Sequence, residues 1–311
     1  MSDISVVIPT RNRADYLEVC LDVLRKEMSD SPEIHVVDDC SEKFLRNANK
    51  KTAKRYGCDY FFLEKNRGMA VARNMGVRRS KGEWIVFLDD DVKVTSGWYN
   101  TLCTILPGLS PDVIGIEGRV EACGAGLWDR EVENLHGGSF LTCHIVYRRS
   151  VFENAGGFDE AFEYLGPFCE DHEFAARVMQ EGKIMFVPEL KAVHMPRRFR
   201  FLEEIMKSRM RMRGLLRAEK YFYNKHPDKY CRFRYFNTFR GTYNSILFRH
   251  TVHKFRKRSM GVLIGRPLEA VMLMILSVWE QFQAWTLLPS LAAGKELPEK
   301  TGAGREPDWA K

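Results

Sequence analysis

Three adjacent aspartates, Asp89, Asp90 and Asp91, are the densest group of chemically active side chains in the sequence. Neighbouring carboxylates repel one another, so such a group needs a compensating cation or solvent. Hard oxygen ligands suit Mg²⁺ or Mn²⁺, which commonly bind one or two carboxylates together with substrate phosphates. Asp89 and Asp91 are two residues apart and could both reach one metal. Such an ion would bridge a diphosphate and stabilise it as a leaving group.

Two further polar clusters follow apolar runs of the kind that form buried strands. Thr10, Arg11 and Asn12 end the first run, and Asp38 and Asp39 end the second. In open α/β sheets, ligands bind at the carboxyl ends of the strands. This shared location favours a metal and ligand site over a solvated acidic turn, which would otherwise be the simpler interpretation of three aspartates in a row.

Strand and helix patterns alternate along the first 190 residues or so, which predicts an α/β fold with a largely parallel sheet. The apolar periodicity predicts strands at 5–10, 34–37, 60–63 and 84–88, and helices at 16–27 and 68–79. Further along, it predicts strands at 114–120, 140–147 and 184–187 and a helix at about 171–181. The three polar clusters would then lie at one edge of the sheet.

Six segments, in order and at plausible spacing, resemble glycosyltransferase family 2. They are residues 6–13, 36–41, 66–76, 81–91, 156–160 and 170–177. The resemblance covers about residues 4–196 and implies a GT-A (Rossmann-like) fold, with a mostly parallel central sheet flanked by helices. It also implies an inverting transfer of a sugar from a nucleotide-sugar donor. One departure is Cys40, which stands where the family usually has glycine and should tighten the backbone requirement there.

The resemblance also implies roles for particular residues at the donor. Donor binding is expected from Pro9, Thr10, Arg11, Asn12, Asp38, Asp39, Asn66, Gly68, Arg73, Asp89 and Asp90. One of the paired aspartates would hydrogen-bond the base, which is usually uracil in the family. Asp89, Asp91 and His194 would hold Mn²⁺ or Mg²⁺. Arg73 would face the diphosphate or the acidic cluster, and a structural ion pair is its alternative role.

The same resemblance points to Asp171 as the general base that deprotonates the acceptor hydroxyl. A single carboxylate opposite a departing nucleotide implies in-line displacement with inversion. Acidic residues are also common at helix N-termini, where the helix dipole stabilises them, so a structural role is the alternative. The acceptor is expected to contact Gly137, Gly138, Trp128 and Glu170. His144 could also contact a sugar, although packing in the core is the more common role of such a residue.

The C-terminal part differs in composition from the rest. The 311-residue chain carries a net charge of +7, yet residues 197–260 contain 19 Lys and Arg against 4 Asp and Glu. We expect a catalytic domain at 1–197, a basic and mainly helical extension at 198–291 that associates with a membrane, and a disordered tail at 292–311. The apolar run at 270–279 is too short to span a bilayer, so an anionic membrane surface is the expected partner.

Compartment and competing functions follow from the same residues. The eight cysteines are scattered without a CxxC pair, and no signal-peptide pattern opens the chain, which predicts a cytoplasmic protein, peripheral on the inner membrane. The expected acceptor is a glycan or a lipid-linked sugar, with no nucleic acid partner. Two alternatives are a nucleotidyltransferase, which would need a glycine-rich loop after the first strand, and a non-enzymatic nucleic-acid-binding protein that uses the basic region.

Overall fold

A computed structural model describes residues 4–28, 33–123, 129–130, 132–165 and 169–198, with short stretches between 210 and 282. The chain forms two compact units. One contains residues 1–124, 130–163 and 170–197, and the other contains residues 125–129, 164–169 and 198–311. Trp128, the 292–311 tail and most of the 198–291 extension lie outside the described residues, so the expectations for them stay predictions.

The bounds of the elements are as follows. The strands are β1 (Ile4–Thr10), β2 (Glu33–Asp38), β3 (Asp59–Phe62), β4 (Trp84–Leu88), β5 (Val92–Val94), β6 (Val113–Ala122), β7 (Asp129–Arg130), β8 (His144–Arg148), β9 (Lys183–His194) and β10 (Arg197–Arg198). The helices are α1 (Ala14–Glu27), α2 (Lys43–Arg55), α3 (Gly68–Arg79), α4 (Trp98–Ile105), α5 (Arg149–Asn154), α6 (Phe162–Leu165) and α7 (Glu170–Val178). A short 3-10 turn, Leu106–Gly108, follows α4.

In the described part of the chain, eight strands form one mixed sheet, in the order β3, β2, β1, β4, β8, β6, β9, β5. The first four strands of that order are parallel to their neighbours. β8 then runs antiparallel to both β4 and β6, while β9 is parallel to β6 and β5 is antiparallel to β9. The predicted α/β class is confirmed, with antiparallel pairings added in the second half of the sheet.

Both faces of the sheet are covered, because successive side chains of its central strands are apolar and point alternately to the two faces. Val6 packs on one face with Leu17 of α1. Val7 packs on the other face with Val77 of α3. Strands buried on both faces read as continuous apolar runs, as in β1. A Cβ on Gly76 would lie 2.3 Å from a methyl carbon of Val7, so the close contact of α3 with β1 requires glycine there.

Two predicted strands have different bounds in the structure. The strand expected at 140–147 begins only at His144, because the preceding residues form a loop held by Glu117. The strand expected at 184–187 runs on through residue 194. His194 is therefore the last residue of β9 and does not lie in a loop after a shorter strand.

Beyond residue 198, the described residues of the second unit are largely helical. Residues 213–218, 220–222 and 224–225 are helical, and Leu216, Ala218 and Phe222 are buried. Among the described residues, no helix combines the length and apolar character needed to cross a membrane. The seven cysteines in the described residues form no disulfide.

Candidate active site

The ends of β1, β2 and β4 place the three predicted polar clusters at one edge of the sheet. Thr10 pairs with Asp38 in the ladder between β1 and β2, and the backbone N–H of Asp39 donates to the Thr10 carbonyl at 2.9 Å. β4 lies on the other side of β1 and ends at Leu88, directly before the three aspartates. Pro9, predicted at the donor, lies buried within β1 opposite Val37.

Asp38 is buried, and its carboxylate is bonded within the protein. One oxygen accepts from the backbone N–H of Ser41 at 2.8 Å. The other accepts from the Asn49 amide at 2.8 Å and the Tyr60 hydroxyl at 2.7 Å. Burial raises the pKa of Tyr60 above its ordinary value, and its hydrogen bond to Asp38 acts in the same direction. These three donors indicate that Asp38 fixes the loop after β2.

Asp39 joins this loop to the start of α3. Its two oxygens accept hydrogen bonds from the backbone N–H groups of Arg67 at 2.7 Å and Gly68 at 2.9 Å. N–H groups at a helix N-terminus have no partner within the helix, and Asp39 supplies one here. With the Asn66 amide assigned by its hydrogen bonds, its nitrogen donates to Asp39 at 2.7 Å and its oxygen accepts from Arg11 at 2.9 Å. Arg11 and Asn66 are exposed, so this edge carries accessible polar groups above a buried carboxylate.

Asn12 connects the loops that follow β1 and β2. Its backbone N–H donates to the Ser41 hydroxyl at 2.8 Å, and its side-chain oxygen accepts from the Glu42 N–H at 2.8 Å. Both Asn12 and Cys40 have positive φ, at 55° and 64°. The left-handed region is costly for most residues other than glycine and asparagine. Cys40 therefore adopts the left-handed conformation at a cost in backbone strain that a glycine would not carry.

Asp90 is a buried acid held by the loop after β1. Thr10 donates its hydroxyl to Asp90 at 2.8 Å, and Arg13 donates to the other oxygen at 3.0 Å. Burial raises the pKa of Asp90 to about 6, with Arg13 opposing the shift and Asp91 adding to it. Because both oxygens are engaged inside the protein, Asp90 positions the loop that was predicted to bind the donor.

Asp91 is fully buried and lies between the Arg13 guanidinium and the His194 imidazole. Arg13 contacts one carboxylate oxygen at 3.3 Å, and the Nε2 of His194 lies 3.4 Å from the other. The backbone fixes this arrangement, since the Met195 N–H donates to the Asp91 carbonyl at 2.7 Å. Val92 pairs with His194 where β5 meets β9. The structure thus brings together two of the three predicted metal ligands, Asp91 and His194.

The third predicted ligand, Asp89, is 18% exposed and points toward Arg73. Among the described residues, no group of three His, Cys, Asp or Glu side chains is arranged to enclose a metal. A carboxylate and an imidazole side by side are nevertheless suitable Mn²⁺ ligands, and Mg²⁺ or Mn²⁺ sites often complete their coordination with substrate phosphates and water. The residues present therefore fit a divalent ion that the donor helps to bind.

Arg73 connects the aspartates after β4 to the start of α7. Its guanidinium is buried and donates to Asp89 at 2.9 Å and to Glu170 at 3.1 Å. Glu170 and Asp171 open α7, so this ion pair brings Asp171 to the same edge as the acidic cluster. Guanidinium groups offer several donors in a fixed fork, which suits a bridge between two carboxylates. The position of Arg73 is therefore compatible with both predicted roles, a structural ion pair and a cation that faces the diphosphate or the acidic cluster.

Glu170 and Asp171 are neighbouring acids whose pKa values move apart. Burial and the adjacent charge of Asp171 raise the pKa of Glu170. Burial also opposes ionisation of Asp171, but His172, bonded at 2.8 Å, and Arg73 outweigh it and lower its pKa. The side chain of Asp171 is 15% exposed. Asp171, with its lowered pKa and partial exposure, is therefore the one of the two acids that is placed to accept a proton from a bound molecule.

Replacing Arg73 with methionine should destabilise the protein by about 3–5 kcal/mol, because it leaves the buried Glu170 and the partly buried Asp89 without their cation. The free energy of unfolding, measured by urea titration at pH 7, checks this. Arg78→Met is the matched control on the same helix, since Arg78 is exposed and lies 3.5 Å from Glu160. It should cost less than about 1 kcal/mol. Equal losses in the two variants would contradict the bridging role of Arg73.

The loop predicted to face the acceptor is held by Glu117, a buried acid in β6. Its carboxylate accepts from the backbone N–H groups of Gly138, Ser139 and Phe140 at 2.8–3.1 Å, and from the Asn134 amide at 2.9 Å. Gly137 and Gly138 both have positive φ, which lets successive N–H groups converge on one anion. The loop leads into β8, whose first residue pairs with the last residue of β4.

His144 belongs to the core. It accepts a hydrogen bond from the Trp98 indole N–H at 2.8 Å, and its other ring nitrogen lies 3.2 Å from the Arg119 carbonyl. Burial lowers the pKa of His144 to about 4, so the ring is neutral at pH 7. Since Nε2 accepts, Nδ1 carries the proton and donates to the carbonyl. The packing role considered for this residue is the one that the structure supports.

Two residues at this edge were missed as site residues. Arg13 falls inside a segment used for the family resemblance, but its charge was not connected to the aspartates some 80 residues later. Glu117 interrupts the apolar run of β6, and a single acid inside such a run indicates a buried and bonded carboxylate. That interruption was the available signal for Glu117. For Arg13, the contact appears only when β1 and β4 are placed side by side.

Comparisons with known proteins identify a related family and fold. Residues 5–153 match the family described as "Glycosyl transferase family 2". The putative teichuronic acid biosynthesis glycosyltransferase TuaG of Bacillus subtilis is 34% identical over 91 residues, which are 29% of this chain and 36% of TuaG. The chain spans between 29% and 36% of the length of the first curated relatives that it matches.

Solved glycosyltransferases share the fold at low sequence identity. Residues 1–349 of Staphylococcus aureus TarS, in complex with UDP-GlcNAc, align over 94% of this chain and 92% of that TarS segment, with a TM-score of 0.54 at 16% identity. The Pyrobaculum calidifontis mannosyltransferase PcManGT, in complex with GDP-Man and Mn²⁺, aligns over 95% of this chain and 76% of its own, with a TM-score of 0.54 at 17% identity. Residues 5–153 therefore match glycosyltransferase family 2, and the chain shares the GT-A fold of the solved glycosyltransferases.

Proposed function

We propose that this protein is an inverting, metal-dependent glycosyltransferase that moves a sugar from a UDP-sugar to a hydroxyl of a glycan or lipid-linked acceptor. The observation that carries the proposal is the ion-pair chain from Asp89 through Arg73 to Glu170. It joins the acidic donor edge after β4 to the N-terminus of α7. A leaving-group site and a candidate base therefore share one edge of the sheet.

The donor would lie along the ends of β1, β2 and α3. Arg11, Asn66 and Asp39 form a hydrogen-bonded group there, with exposed members that can meet a nucleoside. Asp91 and His194, with Asp89 beside them, would hold Mn²⁺ or Mg²⁺. When bound, the ion supplies Lewis-acid stabilisation of the departing diphosphate. PcManGT, which shares this fold, was solved with Mn²⁺, and this supports a divalent ion in general.

The transfer step places Asp171 at the acceptor. Asp171 accepts the proton of the acceptor hydroxyl as its oxygen attacks the anomeric carbon. The bond from that carbon to the diphosphate oxygen breaks on the opposite side, and its electron pair leaves with the UDP. The depressed pKa of Asp171 keeps it ionised at neutral pH, ready to accept the proton. The loop at Gly137 and Gly138, held by Glu117, would form the acceptor wall.

UDP is proposed as the donor nucleotide because of the paired aspartates and the complex of TarS with UDP-GlcNAc. PcManGT was solved with GDP-Man, so GDP is the competing outcome in any binding test. A nucleotidyltransferase is disfavoured, since residues 10–13, which follow β1, contain no glycine and part of this segment binds Asp90 internally.

Proton NMR of the sugar released by slow donor hydrolysis tests the stereochemistry. Water replaces the acceptor, and UDP-GlcNAc, UDP-glucose and UDP-galactose are α-linked donors. Inversion predicts that the β-anomer appears first and then equilibrates. Initial release of the α-anomer would contradict the proposed single displacement. Asp112→Asn, at the opposite edge of the sheet beside Lys183, is a control that should release the β-anomer at the wild-type rate.

We further propose that the protein acts at an anionic membrane surface in cell-envelope polysaccharide synthesis, as the name of TuaG suggests. Four residues of the second unit are helical and have large, exposed apolar side chains: Ile275, Val278, Trp279 and Phe282. Their spacing gives one apolar face, and residues 197–260 supply the basic charge for anionic lipids.

Sedimentation with vesicles of phosphatidylglycerol and phosphatidylcholine tests this membrane proposal. The full chain should bind vesicles that contain phosphatidylglycerol, and Trp279→Glu together with Val278→Glu should reduce the bound fraction several-fold. Phe44→Glu, at an exposed phenylalanine of α2, is the control and should bind as the wild type does. Equal binding by all three proteins would exclude the 275–282 face as the docking surface.

A further inference from the structure

Arg13 lies among the predicted metal ligands and is itself a cation. The same guanidinium nitrogen, Nη1, is 3.0 Å from Asp90 and 3.3 Å from Asp91. A positive charge at this distance makes the electrostatic potential at the two carboxylates less negative, and so weakens their attraction for a divalent ion. Arg13 and a divalent ion would therefore compete for the carboxylate of Asp91.

The two sides of this contact differ in freedom. Asp90 and Asp91 are buried, and Asp91 is fixed from its backbone by Met195. Arg13 is the residue directly before α1, and its side chain is 26% exposed. Long, partly exposed side chains can change rotamer far more easily than buried acids can move. An arriving metal would therefore displace the guanidinium, while the carboxylate stays in place.

Asp90 supplies a second position for the guanidinium. It accepts from Thr10 as well as Arg13, so it stays bonded when Arg13 shifts. The loop of residues 10–13 is tied to β4 through Thr10 in either state. Arg13 can thus leave Asp91 without loss of the contact that orders the loop.

We propose that Arg13 is a counter-cation that exchanges with the divalent metal at Asp91. In the metal-free protein, Arg13 neutralises Asp91 and limits the repulsion between Asp90 and Asp91. When the metal binds, the guanidinium moves away from Asp91 and keeps only its bond to Asp90. Arg13 is a positioning residue in this role, and the inference rests on the metal site of the proposed function.

Mn²⁺ binding to the nucleotide-free protein, followed by electron paramagnetic resonance, is the test. Arg13→Gln removes the competing cation, so Mn²⁺ should bind about tenfold more tightly than to the wild type. Added Mn²⁺ should also raise the Tm of Arg13→Gln more than that of the wild type, because the metal-free variant lacks its counter-charge. Arg55→Gln makes the same change of charge at an exposed arginine paired with Glu18, and should match the wild type.

The outcomes separate this inference from the metal site itself. Equal or weaker Mn²⁺ binding by Arg13→Gln, with clear binding by the wild type, would overturn the exchange and leave the metal site standing. Absence of Mn²⁺ binding by every protein, even with saturating UDP, would overturn both. Arg13→Met, which keeps an unbranched apolar stem without the charge, carries the same expectations if Arg13→Gln does not fold.

Discussion

Asp171→Asn should lower the rate of UDP release from a UDP-sugar by about 10²–10⁴-fold, the usual contribution of a positioned general base. Water serves as the acceptor in this assay, and UDP release is followed by a coupled reaction. The change is nearly isosteric, and the Asn side chain cannot take the proton. Binding of UDP should stay close to that of the wild type, because Arg11, Asn66 and Asp39, which are proposed to face the nucleoside, are unchanged.

The control for this prediction is Asp112→Asn, which makes the same chemical change before β6 at the opposite edge of the sheet. It should keep wild-type turnover. Wild-type turnover in Asp171→Asn, with a normal Tm, would exclude Asp171 as the base and leave the acid as a helix-terminal residue stabilised by the dipole. Loss of both turnover and UDP binding would instead indicate a general disturbance of the edge.

Asp91→Asn should remove most of the gain in UDP affinity that Mn²⁺ provides. Asp91 is buried between Arg13 and His194, and the amide has the same shape without the negative charge. Loss of one charged ligand should weaken metal-dependent binding by at least about tenfold, equivalent to about 1.4 kcal/mol. Calorimetric titration of UDP with and without Mn²⁺ measures this gain directly.

Two features make the Asp91 result interpretable. UDP binding without metal should change little, because Arg11, Asn66 and Asp39, which are proposed to face the nucleoside, are untouched. Asp112→Asn should keep the full gain from Mn²⁺. A wild-type gain in Asp91→Asn would show that the metal is held by other residues, and the pairing of Asp91 with His194 would then be structural.

The parts of the fold that the sequence predicted best are those where burial and boundary signals agree. The predicted and observed bounds are identical for α3, Gly68–Arg79, and for β4, Trp84–Leu88. β4 is a fully apolar run, and Lys81 and Gly82 separate it from the helix. α2 was not predicted because it is largely polar, and its buried residues are Asn49, Thr52 and Ala53. A helix of that composition carries little apolar periodicity.

The candidate site was predicted in location more than in bonding. Chain order placed the aspartates at the strand ends, since parallel strands share one carboxyl edge. It could not show that Asp38 is satisfied by Ser41, Asn49 and Tyr60, because those contacts depend on the loop and helix after β2. Chain order also could not show where β8 begins, because that strand enters the sheet antiparallel to β4. Long-range hydrogen bonds fixed the details that periodicity leaves undetermined.

Titration of the wild-type protein with UDP and GDP, with and without Mn²⁺, tests the central claim most directly. The claim is that the edge formed by β1, β2 and β4 binds a uridine diphosphate donor with the help of a divalent ion. UDP should bind, Mn²⁺ should tighten its binding by about tenfold or more, and GDP should bind more weakly. Failure of folded protein to bind UDP with Mn²⁺ present, or binding that the metal leaves unchanged, would contradict the claim.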